Sequence, residues 1–503
     1  MNVLFFITDQ QRADHLGCAG NPLLKTPNLD RLASESVRFN SAYVANPVCM
    51  PNRCCIFTGQ YPNTCVRTAG ANLPLDIPTF TETLLNEGNY ITKAIGKMHI
   101  NFWARPLSKK FKSPEYTKLW FDPKTHQEMK DNFPKPYYGF DVVDLIVGHG
   151  DSCHGDYQDW IREKAPDLLP LMKELRKKNL MEVYRKSPIP EELYPTSYVT
   201  DRAIDFLENY SKQEDQENPF FLFCSYPDPH HPVTPPGKWG DMYSPEDIEL
   251  PKSFNNIDFV KNHKFLGPML DRPLIRNMIH RSTNEEEARG FIALTYGTLS
   301  MIDHSVGQIL GTLEKLGLAD NTMVIYTSDH GDMAGDQGMI LKGLLPFNGI
   351  LNVPLIWKVP GVSKPGSVSN SLVSSVDFAP TILNLCGIHK KKQPPDMQGV
   401  DVTPVLKDPN AQARDFCLIE FDTAKGPNTG GRLKYLVTEK YKLTVYNDLP
   451  GYGDLFDRIN DPDEMHNLWF DENYKEVRHE LVDKLLHEVM NAQSLYPKQQ
   501  GMA

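Results

Sequence analysis

Residues 47–59 read PVCMPNRCCIFTG, and this stretch combines a cysteine, a proline and an arginine with an apolar run. Pro51 suits the first turn of a helix, and the apolar residues after it suit a buried one. Cys49 would then lie at the helix N-terminus, where the partial positive charge lowers a thiol pKa and attracts anions. Arg53, one turn later, offers a planar fork of donors that fits sulfate or phosphate. A buried Cys beside a structural Arg is the alternative interpretation.

The bulk composition is that of a globular protein larger than one ordinary domain. The chain has 503 residues, of which 40% are hydrophobic and 23% charged, so two or more domains are predicted. The net charge is −11 and the pI about 5.8, with no long basic run, so we expect no nucleic-acid partner. No run of about 18 apolar residues occurs, so we expect no membrane span.

The N-terminal residues and the cysteines predict a cytoplasmic protein. Residues 1–9 read MNVLFFITD, without the basic region or the cleavage site of a signal peptide. Nine cysteines occur at irregular spacings, which fits reduced thiols better than a disulfide framework.

Three short apolar runs, at 3–7, 219–224 and 322–327, are typical of parallel strands buried on both faces. In open α/β sheets, ligand groups lie just beyond the carboxyl ends of such strands. The polar residues that follow the three runs are Asp9 with Gln10, His230 with His231, and Asp329 with His330. These side chains are therefore candidates for a common site. Taken alone, Asp9 could instead cap a helix.

Two further groups of polar residues leave alternatives open. Lys97 and His99 follow a predicted strand, and they point to the same side if the backbone stays extended. A solvated lysine and an unrelated histidine would give the same pattern. His149 and His154 lie in a polar, glycine-rich segment that we interpret as a surface turn rather than a substrate pocket, and their role stays open. We expect His231 to be an exposed neighbour of His230.

Several of these stretches resemble the sulfatase family. Cys49, Pro51 and Arg53, followed by Thr58-Gly59, resemble the family's first signature, although Met50 and Asn52 replace its usual small residues. The residues from Tyr90 to His99 are similar to the second signature, with Asn89 in place of a glycine. The stretch YTSDHGDMAGDQG, at 326–338, resembles the family's second metal-binding segment.

The resemblance implies an α/β fold of the alkaline-phosphatase-like type. A large, mixed, mostly parallel sheet would be flanked by helices, and a smaller antiparallel sheet would form a C-terminal subdomain. We place the catalytic domain at 1–410 and the C-terminal subdomain at 411–503, because short alternating strands begin after about residue 410.

The resemblance also implies the site and its cofactors. In this family a dedicated enzyme oxidises the signature cysteine to formylglycine, whose hydrate is the nucleophile. The implied catalytic residues are Cys49, Arg53, Lys97, His99, His230 and Lys342. The implied metal ligands are Asp9, Gln10, Cys49, Asp329 and His330. They would hold one divalent cation, calcium in most members, with manganese or magnesium left open by the Asp-Gln and Asp-His pattern.

The implied function is hydrolysis of a small sulfate monoester to an alcohol and inorganic sulfate. The implied partners are that substrate and the formylglycine-generating enzyme. One alternative is a phosphonate monoester or phosphodiester hydrolase, a group that shares the Asp-Gln and Asp-His pattern but typically lacks the Gly-Lys-x-His element. Another is a non-catalytic binding protein on the same scaffold. The alcohol portion of the substrate and the oligomeric state do not follow from the sequence.

Overall fold

A large β-sheet carries the candidate residues. The computed structural model describes residues 1–108, 110–120, 123–178, 182–213, 218–270, 281–422 and 431–493. The strands in these ranges are β1 (Asn2–Thr8), β2 (Val37–Phe39), β3 (Ala42–Tyr43), β4 (Ile91–Lys97), β5 (Val142–Val147), β6 (His154–Gly155), β7 (Phe220–Ser225), β8 (Arg281–Ser282), β9 (Thr322–Ser328), β10 (Met339–Ile340), β11 (Leu355–Lys358), β12 (Ser367–Ser369), β13 (Val373–Ser374), β14 (Phe416–Asp422), β15 (Arg432–Thr438), β16 (Tyr441–Tyr446) and β17 (Gly453–Asp457).

The helices flank this sheet or connect its strands. Those in the described ranges are α1 (Pro27–Ser34), α2 (Cys49–Thr58), α3 (Phe80–Gly88), α4 (Pro123–Asp131), α5 (Asp156–Lys164), α6 (Leu169–Lys178), α7 (Pro195–Ser211), α8 (Gly237–Gly240), α9 (Ile257–Asn262), α10 (Glu285–Lys315), α11 (Asn348–Leu351), α12 (Phe378–Leu385), α13 (Thr403–Lys407) and α14 (Lys475–Asn491). None of these helices combines the length and the apolarity needed to cross a lipid bilayer.

The large sheet is mixed and mostly parallel, as predicted. Its order across the described strands is β12-β2-β11-β9-β1-β7-β4-β5-β6. The central strands β9, β1, β7, β4 and β5 are parallel, whereas β11 and β6 run antiparallel to their neighbours. The three predicted buried strands are adjacent here as β9, β1 and β7, so their carboxyl ends share one edge of the sheet.

The sequence of β1 explains why both faces of the sheet are covered. All seven of its residues are buried. Phe5 faces one hydrophobic core, where it packs against Phe378 of α12, and Phe6 faces the other, which also contains residues of α7 and α10. Because successive side chains of a strand point to opposite faces, a continuous apolar run needs helices on both sides.

A second sheet lies near the C-terminus, as predicted. Strands β14 to β17 form a four-stranded antiparallel sheet in sequential order, and α14 ends the described chain. Leu418 of β14 belongs to the same hydrophobic core as Met50 of α2, and Glu420 N donates to Ala45 O at 2.9 Å. The small sheet therefore contacts the residues that lead into the cysteine segment and shares a hydrophobic core with its helix. The domain division after residue 410 stays a prediction.

Candidate active site

Two buried carboxylates meet at the carboxyl ends of β1 and β9. The strands are in register up to Thr8 and Ser328, so Asp9 and Asp329 leave the sheet side by side. Asp329 N donates to Thr8 O at 3.2 Å. Ligand atoms of Asp9, Cys49, Asp329 and His330 all lie within 4.8 Å of one another, and all four residues are buried. The structure thus brings together four of the five residues implied as metal ligands.

The cysteine segment forms the expected helix. Val48 is the N-cap of α2 and Cys49 is its first residue, so the thiol lies at the helix N-terminus. Asn52 accepts a hydrogen bond from Ala45 N at 2.9 Å and donates one to Asp329 O at 2.7 Å. The departure from the usual small residue at 52 therefore has a structural role, because this amide ties α2 to the end of β9.

Arg53 connects α2 to three strand ends. Its Nε donates to Asp329 Oδ2 at 2.7 Å, and its Nη1 donates to Lys97 O and to Ser225 Oγ, both at 2.8 Å. Gly96 makes this convergence possible, since a Cβ there would lie 1.9 Å from Ser225 O. Nη2 of Arg53 is buried and has no hydrogen-bond partner among the described residues. An unpaired guanidinium nitrogen at this place favours binding of an anion.

Two lysines place positive charge beside the cysteine. Lys342 Nζ lies 3.8 Å from Cys49 Sγ and 2.8 Å from His330 Nε2. Lys97 Nζ forms a buried ion pair with Asp9. Burial raises the pKa of the Cys49 thiol, but Lys342 and Lys97 more than offset this effect, and the pKa falls to about 7. The charges around residue 49 therefore favour an anion at that position.

His99 reaches the site by a different backbone path from the one expected. The strand ends at Lys97, and His99 has a φ of 49°, in the left-handed region rather than the extended one. Its backbone N–H donates to Glu115 at 2.5 Å, which fixes this turn. The ring stacks on Trp103 with centroids 3.9 Å apart, and Nδ1 is buried without a hydrogen-bond partner among the described residues. Burial and the charges of Lys97 and Arg53 hold the His99 pKa well below its usual value.

His230 and His231 are both buried, so the expectation of an exposed His231 is wrong. His230 Nδ1 lies 2.5 Å from His231 O, and a ring nitrogen can only donate to that carbonyl. His231 Nδ1 lies 3.1 Å from Gln10 Nε2 and 3.2 Å from Gln10 Oε1. The residue is buried because this contact places it against the loop that follows β1.

The side chain of Gln10 is held by contacts outside the group of four candidate ligands. Its φ is 73°, its Nε2 donates to Asp332 Oδ2 at 2.5 Å, and its amide also meets His231. Its backbone N–H donates to Asp329 Oδ1 at 3.2 Å. The structure therefore places the side chain beside the site with two protein partners, and its role as a metal ligand stays a prediction.

Sequence reasoning missed two residues of the site, His149 and Trp103. The segment with His149 was interpreted as a surface turn, which is wrong, since the His149 side chain is only 19% exposed and its Nε2 lies 3.4 Å from Asp9 Oδ2. Burial and Lys97 lower the pKa of His149 to about 3. His154 instead contacts Gln158 and Arg176, away from this centre. The flanking Gly148 and Gly150 were the only sequence signal of an unusual loop.

This arrangement defines a class of site. Carboxylates at the ends of central parallel strands, a cysteine at a helix N-terminus and an unpaired arginine nitrogen are suited to the hydrolysis of an anionic ester.

Comparisons with known proteins give the family. The sulfatase family model matches residues 1–388, and the model of the C-terminal part of N-sulphoglucosamine sulphohydrolase matches residues 335–491. An arylsulfatase from Clostridium perfringens is 30% identical over 481 residues, covering 94% of this chain and 91% of the relative. The chain belongs to the sulfatase family and is a sulfuric ester hydrolase.

Two more distant proteins resemble it over nearly their whole length. An N-acetylglucosamine-6-O-sulfatase from Bacteroides thetaiotaomicron is 26% identical, with 96% of this chain and 85% of the relative covered. The crystal structure of a phosphonate monoester hydrolase from Agrobacterium radiobacter superposes with a TM-score of 0.78 at 22% identity, covering 99% of this chain and 97% of that one. The latter likeness concerns the fold alone.

Proposed function

We propose that this sulfatase hydrolyses a small sulfate monoester through a formylglycine at position 49 and one divalent metal ion. One observation carries the proposal: Cys49, at the N-terminus of α2, lies among the two carboxylates, the two lysines and the arginine described above. The cysteine Sγ marks the place from which an oxygen nucleophile of the modified residue would project.

The residues present fit a divalent cation. Asp9 Oδ1 is buried and accepts no hydrogen bond from the described residues, which is costly for a carboxylate oxygen unless a cation binds there. Asp9, Asp329, His330 and residue 49 would hold the ion, with Gln10 as a fifth candidate. Such an oxygen-rich set favours calcium, and its carboxylates leave manganese or magnesium as alternatives. The bound ion would supply positive charge that polarises the nucleophilic oxygen.

We assign the remaining residues the roles that the resemblance to sulfatases implies. A hydroxyl of hydrated residue 49 releases its proton to solvent and attacks sulfur, and the bond from sulfur to the alcohol oxygen breaks. Arg53, Lys97 and Lys342 neutralise the charge on the transferring group. His230 or Lys342 stabilises or protonates the departing alcohol oxygen. His99 then takes the proton of the second hydroxyl at residue 49, sulfate leaves, and the aldehyde is restored, so that hydration completes the cycle with a net consumption of one water.

Burial of the cysteine supports modification by a separate enzyme before folding. Cys49 is 5% exposed, and the neighbouring Pro51 and Arg53 are also buried. A formylglycine-generating enzyme could therefore reach this segment only on the unfolded chain. We accordingly propose that this enzyme is a maturation partner, besides the small sulfate ester as substrate.

The choice between sulfate and phosphonate esters is testable with matched substrates. We expect kcat/KM for an aryl sulfate to exceed that for the corresponding aryl phosphonate monoester, because this chain carries the Gly-Lys-x-His element, with Lys97 and His99, that the phosphonate hydrolases typically lack. Activity of the fully modified protein on both substrates gives the ratio. A clear preference for the phosphonate would make the protein a phosphonate hydrolase, and no activity on a broad ester panel would favour the non-catalytic alternative.

We further propose a cytoplasmic location, on the basis of the cysteines. All nine are unpaired, and Cys55 and Cys65, which contact each other, have their sulfurs 3.8 Å apart. Reduced thiols are typical of the cytosol. Thiol titration of the denatured protein from native cells, without reductant, is expected to count every cysteine except the modified residue 49. A disulfide in that sample, or recovery of the protein in the extracellular fraction, would contradict the proposal.

A further inference from the structure

His149 lies between two groups to which the proposed mechanism gives roles. Its Nε2 is 3.1 Å from Lys97 Nζ. A charged ammonium group has donors and no acceptor, so towards Lys97 the Nε2 of His149 can only accept, which leaves the ring proton on Nδ1. Asp9 Oδ2, 3.4 Å from the same nitrogen, is itself paired with Lys97. Its ring packs flat against that of His230, with centroids 3.5 Å apart and an angle of 7° between the planes. One side chain therefore contacts both the lysine and the histidine.

Trp103 limits the space that these groups could occupy. The ring of Trp103 lies 5.2 Å from that of His149, and Lys97 Nζ lies 4.9 Å from the same indole. The indole Nε1 donates to Glu115 Oε2 at 2.9 Å, so the aromatic wall is itself anchored. His149 thus has a restricted set of orientations available to it.

The loop that contains His149 has an unusual backbone conformation and is tightly packed. Gly148 and Gly150, on either side, have φ values of 101° and 55°, in the left-handed region that favours glycine. A Cβ at Gly150 would lie 2.7 Å from Pro232 O and 2.8 Å from Thr234 Oγ1. The backbone around His149 is consequently packed against the loop that carries His230.

A buried ion pair secures the same loop from its other side. Both carboxylate oxygens of Asp151 accept from Arg185 Nη2, at 2.6 and 2.8 Å, and Oδ2 also accepts from Ser187 Oγ at 2.9 Å. Asp151 N donates to Thr234 Oγ1 at 3.0 Å. A surface turn would not need a fully buried carboxylate with this many partners, because burying a charge is unfavourable without compensation.

We propose that His149 is a positioning residue of the active centre, which fixes the ammonium of Lys97 through its Nε2 and the ring of His230 by stacking. Lys97 is thereby directed at the sulfate group and His230 at the departing oxygen. This inference rests on the proposed function, in which those two residues act on the substrate. Groups held in place by such supporting contacts lose activity when displaced by about 1 Å.

The test uses three variants that separate the two contacts. His149→Ala removes both, His149→Phe keeps the flat packing and loses the acceptor, and His149→Gln keeps an acceptor oxygen and loses the ring. Each is assayed on a series of substituted phenyl sulfates, with kcat and KM measured separately. We expect His149→Ala to lower kcat by about 10- to 100-fold with a smaller change in KM, and to lower it most for the least acidic phenols.

The other two variants are expected to divide this effect. His149→Phe is expected to keep the wild-type dependence on the leaving group while its rate falls uniformly, since His230 stays in place. His149→Gln is expected to show the steep dependence of His149→Ala with a smaller overall loss. His154→Gln is the matched control: this nearby histidine contacts Gln158 and Arg176, and unchanged kinetics are expected.

His230→Ala, measured in the same series, separates failure of this inference from failure of the proposed function. A steeper leaving-group dependence in His230→Ala but not in His149→Ala would leave the function standing and overturn the positioning role. No steepening in either variant would reject the role proposed for His230 and this inference with it. The positioning role would also be overturned if each of the three variants lost the same factor in kcat on every phenyl sulfate and these losses followed the variants' melting temperatures. His149 would then contribute to packing alone.

Discussion

Protein in which residue 49 remains an unmodified cysteine is expected to fold normally and to be nearly inactive. Its kcat is expected to be roughly 10⁴- to 10⁶-fold lower than that of the modified protein, which is the size of effect seen when a nucleophile is removed. The thiol is buried at the start of α2 and its pKa is lowered to about 7, so it is partly ionised at neutral pH. Thiolate attack on a sulfate ester would, however, give a sulfur–sulfur adduct with no second hydroxyl to expel the sulfate. In the proposed mechanism, turnover therefore requires the aldehyde.

The measurement pairs intact-protein mass spectrometry with an activity assay across preparations made with and without the formylglycine-generating enzyme. The fraction of aldehyde at residue 49 is expected to be proportional to kcat. Cys49→Ser is expected to stop after at most one turnover, because its sulfate ester lacks the second hydroxyl. Cys386→Ser, at a half-buried cysteine outside the site, is the control and should keep full activity. Activity that does not follow the aldehyde fraction would reject the formylglycine mechanism.

The second large effect concerns the metal. Chelation, and separately Asp9→Asn or Asp329→Asn, is expected to lower turnover by about 10³-fold or more, because a bound cation contributes several kcal/mol of transition-state stabilisation. Both carboxylates are fully buried, and each already pairs with a basic residue, Lys97 for Asp9 and Arg53 for Asp329. The variants therefore weaken the cation site and disturb the groups around the sulfate at the same time.

Metal content by elemental mass spectrometry, with melting temperature measured before and after metal addition, distinguishes these two consequences. Wild-type protein is expected to be stabilised by the correct ion, since a ligand that binds only the folded state raises its stability, and the variants are expected to respond less. Asp320→Asn is the control, because this exposed residue precedes β9 at the opposite end from Asp329. Full activity in a protein stripped of metal would place the site elsewhere.

Much of the fold and part of the site could be predicted from local patterns. The apolar runs of β1, β7 and β9 predicted buried parallel strands, because only a strand covered on both faces carries such a run. Parallel neighbours end at the same edge, which is why Asp9 and Asp329 were expected together. The Cys49 segment predicted its own helix N-terminus through Pro51, and the observed start of α2 confirms this interpretation.

Other features depend on contacts between distant parts of the chain and could not be predicted in this way. His231 was expected to be exposed, but it is buried against Gln10, 221 residues earlier. His99 was expected on an extended backbone, yet Glu115 holds it in a left-handed conformation. A local pattern specifies neither partner, because hydrogen bonds of this kind depend on how separate segments of the chain pack together.

The sequence by itself determined where the buried strands lie along the chain, which polar residues follow them, and where the helix of Cys49 begins. These signals act over a few neighbouring residues, so a local pattern is enough to predict them. Only the tertiary structure decided which of these groups touch. Asn52, a departure from the usual signature, acquires its role from the carbonyl of Asp329, and His149 acquires its place from Lys97 and His230. The physical reason is that burial and pairing of polar groups depend on close packing of segments far apart in the chain, and periodicity carries no information about that packing.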